Sequence, residues 1–159
     1  RLVRKAVDFS RVVLAVILEI VGSPGHAHVV IEGVLMYLTR EQRAALLRTL
    51  AARFPHHTVY CDLMRKGFFE RFSRPIHEKI VGMGATFTEM DERPERLFIE
   101  AGYTMTALDS VPLYAVNHGS MGVPAFVVRW LMKSLRDGYL VGVFQRARTR
   151  PAGPGPALT

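Results

Sequence analysis

The sequence predicts an open α/β sheet, and three observations carry that expectation. Residues 27–34 and 57–63 are short runs rich in β-branched and large apolar side chains, as strands covered on both faces require. Between them, Thr39 opens a segment in which Ala44, Leu46, Leu47, Leu50 and Ala51 recur at helical spacing. A strand, a helix and a strand at this spacing make a right-handed crossover, with the two strands parallel. Each strand also ends in an acid, Glu32 followed by Gly33 in the first and Asp62 in the second. The C-terminal rim of an open α/β sheet is where ligands are held. A buried carboxylate is costly unless paired, so Glu32, expected to be buried, needs a reason to be there.

The elements follow in order. Ser10 can cap a helix over residues 11–21, which Gly22 and Pro24 end. It is apolar nearly all round and is expected to lie against the sheet. After the strand at 27–34, Thr39 and Gln42 have the spacing of a capping box, and Pro55 closes that helix. The second strand, 57–63, leads into a helical stretch over 66–84 with Phe68, Phe69, Phe72, Ile76 and Ile80 inward, as core or lid. Residues 94–101 read as a short helix with Gly102 as its C-terminal cap. Residues 104–111 read as a strand and 123–135 as a helix. A closing strand at 139–145 follows the Asp137-Gly138 turn. From 147 onward the Arg, Pro and Gly content predicts a disordered tail, dividing the chain into 1–146 and 147–159.

A length of 159 residues suits one domain, and 49% hydrophobic with 22% charged residues suits a globular chain. The net charge of +7 invites a nucleic-acid reading. The basic residues, however, are scattered (Arg1, Arg4, Lys5; Arg65, Lys66; Arg129, Lys133, Arg136), with no aromatic stripe between them. No nucleic-acid partner is expected. The single cysteine, Cys61, allows no internal disulfide and reads as a small core residue, which fits a cytoplasmic setting. The apolar run at 12–18, between Arg11 and Glu19, is too short to span a bilayer, so no membrane partner is expected. A start at Arg1, without a signal-peptide pattern, suggests a processed, trimmed or partial chain.

The run EGVLMYLTREQ, residues 32–42, closely resembles the signature of the leucine carboxyl methyltransferase family, which includes bacterial relatives linked to polyketide O-methylation. Two other segments resemble that family. Val7-Asp8-Phe9-Ser10 looks like its aspartate and apolar residue after the third strand, ahead of a helix and a turn, here Ser23-Pro24-Gly25. Glu100-Ala101-Gly102-Tyr103 looks like its step into the sixth strand. The likeness spans residues 7–145.

The resemblance implies a Rossmann-like class I methyltransferase sheet with an antiparallel last strand and S-adenosylmethionine as cofactor. The implied activity is transfer of a methyl group to a carboxylate or hydroxyl of a small molecule or peptide. Carried over, Asp8 would meet the adenine amino group, Phe9 would line the adenine pocket, and Glu32 would belong to the cofactor's shell. Tyr37 would orient the accepting oxygen as the catalytic residue. By themselves, Asp8 also reads as a helix-start acid and Tyr37 as a strand-end aromatic. His118 is the loosest candidate for a general base and reads first as a loop residue. His26, His28, His56, His57 and His77 are not spaced as metal ligands on one helix face, and no metal is expected.

The family's glycine-rich cofactor loop and the acid ending its second strand are not found. Gly82-Met83-Gly84 and Gly119-Ser120-Met121-Gly122 come late and do not link a buried strand to a helix. The sequence therefore reads as the C-terminal part of such an enzyme, its N-terminal strands absent and the sheet incomplete, beginning near the end of the third strand. That would bare the edge of the strand ending at Glu32. Self-association, pairing with another segment or marginal stability is then expected. The competing reading is a catalytically silent half-domain acting as an interaction module.

Overall fold

The computed structural model describes residues 26–146, apart from 83 and 89 and the side chains of 73–76. Asp8, Phe9, the helix expected at 11–21, the side chain of Ile76 and the tail expected at 147–159 lie outside the described residues.

Four strands, β1 (Ala27–Ile31), β2 (His57–Met64), β3 (Thr104–Ser110) and β4 (Tyr139–Arg146), form one sheet in the order β1-β2-β4-β3. β1 and β2 are parallel, with Ala27 opposite His57 and Ile31 opposite Cys61. The crossover between them is helix α1 (Arg40–Arg53). β4 lies between β2 and β3 and runs antiparallel to both. The fold is thus the expected open α/β sheet with an antiparallel last strand.

α1 starts where the capping box predicts. The Thr39 side chain accepts from the Gln42 N–H at 3.3 Å, and Gln42 Oε1 accepts from the Thr39 N–H at 2.8 Å. Its buried face carries Leu46, Leu47 and Leu50 onto Val59, Cys61 and Leu63 of β2 and Phe144 of β4, all in one core cluster. Phe98, from the short helix α4 (Arg96–Glu100), stacks on Phe144 with ring centroids 4.0 Å apart. Burying each such side chain contributes about 1.5–3 kcal/mol. Arg43 is buried on the same helix face. Its Nε donates to the Leu38 carbonyl at 2.9 Å, and its guanidinium meets Asp91 at 3.2 Å.

Several boundaries differ from expectation. β1 stops at Ile31, because Gly33 adopts φ +63° and the chain leaves the sheet into a 3-10 turn, Leu35–Tyr37. Among the described residues β1 is covered on one face only. Ile31 is buried whereas Val30, pointing the other way, is 71% exposed. The stretch at 66–84 is helical as α2 (Lys66–Phe68) and α3 (Arg74–Gly82), joined by a π-turn, Phe69–Ser73. The helix expected at 123–135 is a π-turn, Val127–Leu131, followed by α6 (Lys133–Arg136). Helix α5 (Val111–Asn117) was not expected, although Ser110 caps it by accepting from the Leu113 N–H at 3.2 Å and Pro112 sits in its first turn.

β2 begins with a buried histidine. The Phe54 carbonyl accepts from His57 Nδ1 at 2.6 Å, and Nε2 meets the Tyr103 hydroxyl at 2.8 Å. Burial lowers the His57 pKa from its ordinary 6.5, with the nearby Arg146 acting the same way and the Phe54 carbonyl opposing them. The unfolded chain therefore takes up this proton first as pH falls. The stabilisation is whole above 6.5 and is lost as pH drops through the folded-state value. Unfolding free energy measured in urea should fall as pH drops below 6.5, and His57→Gln should flatten that slope. Equal slopes in the two proteins would remove His57 as the cause.

Candidate functional site

Because β1 and β2 are parallel and in register, their C-terminal ends lie side by side. There the backbone N–H of Gly33 donates to Asp62 Oδ1 at 2.9 Å. A left-handed conformation would cost a residue with a β-carbon about 1–2 kcal/mol, which is why glycine suits this exit. The second carboxylate oxygen of Asp62 accepts from the Tyr139 hydroxyl at 3.0 Å. The antiparallel register sets Asp62 opposite Val141 and Met64 opposite Tyr139, so Asp62 and Tyr139 are diagonal neighbours on one sheet face. Asp62 is only 7% exposed, and both its oxygens are engaged.

Tyr139 is held in turn by close packing behind it. A β-carbon on Gly138 would lie 2.3 Å from the Phe68 β-carbon, so glycine lets α2 approach, and Phe68 stacks on Tyr139 at 5.8 Å. The Tyr139 phenol is pushed up to about 12 by burial first, then by the Asp62 charge and hydrogen bond, then by the Glu32 charge. At neutral pH it is a proton donor, not a base.

These positions correct one expectation. Glu32 is exposed, not buried, since β1 ends one residue earlier and the Gly33 turn carries the chain outward. The buried acid of this rim is Asp62. Glu32 still bears on the same group, through its effect on Tyr139. Tyr37 lies in the 3-10 turn, not at a strand end. It is half-buried, with its ring 5.1 Å from Phe87 and its hydroxyl unbonded among the described residues. No hydrogen bond or ring contact joins Tyr37 to Glu32 among the described residues. Asp8 and Phe9 lie outside them.

The other titratable groups have local duties. Cys61 is buried, and burial pushes its thiol far up, so it is a core residue. His118 follows α5, stacks on Tyr114 at 3.9 Å, and bonds through Nδ1 to the Tyr114 carbonyl at 2.9 Å. Buried Glu95 meets Arg65 at 3.6 Å and Arg93 at 3.5 Å, tying the exit of β2 to the start of α4. The cavity next to Asp62, bounded also by Leu35, Met64 and Leu97, measures about 20 Å³, the size of one water and far below a cofactor's. Among the described residues no helix is long and apolar enough to cross a membrane.

Sequence reasoning assigned no role to Asp62 or Tyr139. Asp62 carried a signal, an acid at the end of a buried strand. Tyr139 carried none, because only the β2–β4 register brings it to Asp62.

No family model and no curated protein matches the chain. Among solved structures, it is similar to a DUF574 family protein from Streptomyces avermitilis, at 10% identity and a TM-score of 0.50, covering 76% of this chain and 44% of that one. It is similar also to magnesium protoporphyrin IX methyltransferase from Synechocystis, solved with bound SAH, at 12% identity and a TM-score of 0.44, over 88% and 49% of the two chains. A third is geranyl diphosphate C-methyltransferase from Streptomyces coelicolor, in complex with magnesium, geranyl diphosphate and S-adenosyl-L-homocysteine. There the identity is 11% and the TM-score 0.41, over 76% and 47% of the chains. The chain thus spans about half the length of each structure. At these identities the likeness is one of fold, and it rests on the first of the three.

The rim geometry makes a direct prediction about stability. Asp62→Ala strands the Gly33 N–H and the Tyr139 hydroxyl together and should cost about 3 kcal/mol in urea unfolding, against about 1.5 kcal/mol for Tyr139→Phe. If Asp62→Ala is no worse than Tyr139→Phe, the carboxylate does not hold both groups.

Proposed function

We propose that the chain carries the acceptor side and part of the cofactor rim of an S-adenosylmethionine-dependent O-methyltransferase whose acceptor is a carboxylate. One arrangement carries this reading: the EGVLMYL segment, with its family resemblance, leaves the sheet at a rim where Glu32, Asp62 and Tyr139 adjoin. The residues present suit the cofactor's chemistry. Glu32 is an exposed carboxylate with no ion pair among the described residues, at the open end of parallel strands, and a cationic group is its natural partner. S-adenosylmethionine, when bound, supplies a methyl group on a positively charged sulfur.

The chain's own residues then divide the work. Asp62 fixes the Gly33 turn and so the position of Glu32. Tyr37, its hydroxyl unbonded among the described residues, orients the accepting oxygen, while Asp8 and Phe9 hold the adenine. A carboxylate acceptor is already ionised and needs no general base, whereas a hydroxyl would need one. Tyr139 keeps its proton and His57 is sealed in the core, so neither serves as that base, and His118 lies beyond α5 with no contact to Glu32, Tyr37, Asp62 or Tyr139 among the described residues. This favours the carboxylate over the hydroxyl.

Titration calorimetry with S-adenosylmethionine tests the reading. Saturable binding is expected, weakened about tenfold by Glu32→Gln, which is about 1.4 kcal/mol. No heat at millimolar cofactor would sink it.

A second reading, a silent half-domain that pairs with other chain segments, is favoured by the sheet's open face. Val30, Tyr60, Val143 and Ala107 lie in one row across all four strands, with Val30 71% and Val141 38% exposed. Among the described residues β1 is bonded on one side only. Light scattering should then find multimers that Val30→Lys disperses. A monodisperse monomer of the unaltered chain would count against it.

A further inference from the structure

A cavity of about 230 Å³ lies between the π-turn Phe69–Ser73 and the segment running from Trp130 into α6. Its walls are Arg71, Phe72, Trp130, Leu131, Met132 and Lys133, among others. Two features of it are unusual for a surface of no function. Trp130 and Leu131 are 73% and 76% exposed, although a tryptophan and a leucine left side by side in water forgo several kcal/mol of burial. Arg71 and Lys133 make no ion pair among the described residues, and no acid lines the cavity. The neighbouring acids are already engaged, Glu70 by Lys66 at 3.9 Å and Asp137 by Arg136 at 2.5 Å. Arg71 instead lies over the Phe72 ring, its guanidinium carbon 5.8 Å from the centroid.

Apolar and aromatic walls with two cations that make no ion pair among the described residues select a ligand with an apolar body and a negative end. We propose that this cavity binds an organic carboxylate with an aromatic or aliphatic body, its charge held by Arg71 and Lys133 and its body against Trp130, Leu131 and Phe72. The cavity is next to the rim: Phe72 packs on Phe68 at 5.3 Å, and Phe68 on Tyr139. Phe68 and Phe72 stand between this cavity and the rim, so the anion site is separate from the methyl-transfer reading and does not rest on it. Binding of the anion needs no methyl donor. Loss of S-adenosylmethionine binding would therefore sink that reading and leave this one standing.

Trp130 is the only tryptophan of the chain, so its fluorescence reports on the cavity directly. Phenylbutyrate, titrated against the full chain with excitation at the red edge of the indole band, should change the emission saturably. Neutral phenylbutanol should bind at least tenfold more weakly. Arg71→Gln with Lys133→Gln, both exposed side chains, should weaken phenylbutyrate at least tenfold and leave phenylbutanol unchanged, with an unaltered circular dichroism spectrum. Equal affinity for acid and alcohol, or full affinity in the double variant, would overturn the proposal. So would a spectral shift with anionic phospholipid vesicles but none with phenylbutyrate, which would make this a membrane contact.

Discussion

The bond pair at Asp62 is the constraint on which the rest of the rim depends. One carboxylate, buried at the end of β2, accepts from the backbone of the β1 exit and from a side chain of β4. A buried carboxylate is stable only when its oxygens are satisfied, and here each oxygen has a partner from a different strand. The same two bonds fix where β1 ends and how Tyr139 lies. Moving either strand by one residue would break a bond and strand a charge, so register and rim geometry are one property. Glu32 is exposed for this reason: its neighbour Gly33 is held to Asp62, and the chain must turn out at that point.

The sheet's two faces have opposite characters. Under α1, the side chains of His57, Val59, Cys61 and Leu63 meet Leu47, Leu50 and Phe98 in a sealed core. The other face carries Val30, Tyr60 and Val143 in a row that remains partly open, flanked by Thr58 and Gln145 on one side and Asp62 and Val141 on the other. Parallel strand pairs are ordinarily covered on both faces. Among the described residues, packing is concentrated in one layer, and the second face and outer edge of β1 are where another layer can add to it.

What the sequence made legible was local. The capping box at Thr39, the crossover between two apolar strands, the Gly102 cap and the Asp137-Gly138 turn all depend on residues within a few positions of one another, and each appears where expected. The site was legible in outline, as an acid-bearing rim, but the wrong acid was taken to be buried. Glu32 and Asp62 both end apolar runs, and the glycine after Glu32 did not by itself say which of the two is buried. The difference arises from Gly33's left-handed turn and from Tyr139, 77 residues further on than Asp62. The π-turns at 69–73 and 127–131 were illegible for a related reason, since their apolar side chains keep helical spacing while the backbone widens.

Charge is laid out along this surface in a way that suits the proposed chemistry. The rim is acidic, with Glu32 and Asp62, while the neighbouring cavity is basic, with Arg71 and Lys133, and the contacting rings of Tyr139, Phe68 and Phe72 lie between. A cation on the rim and an anion in the cavity would each be held by its opposite, while the rings between keep the two sites apart, so a reacting acceptor has to reach the rim itself. Methyl transfer from a sulfonium to a carboxylate forms a C–O bond as the C–S bond breaks. The bonding pair stays on sulfur, and both charges are cancelled. A reaction that destroys charge is favoured by an apolar surround, because water stabilises the separated ions more than the neutralising transition state. Positioning then supplies much of the rate.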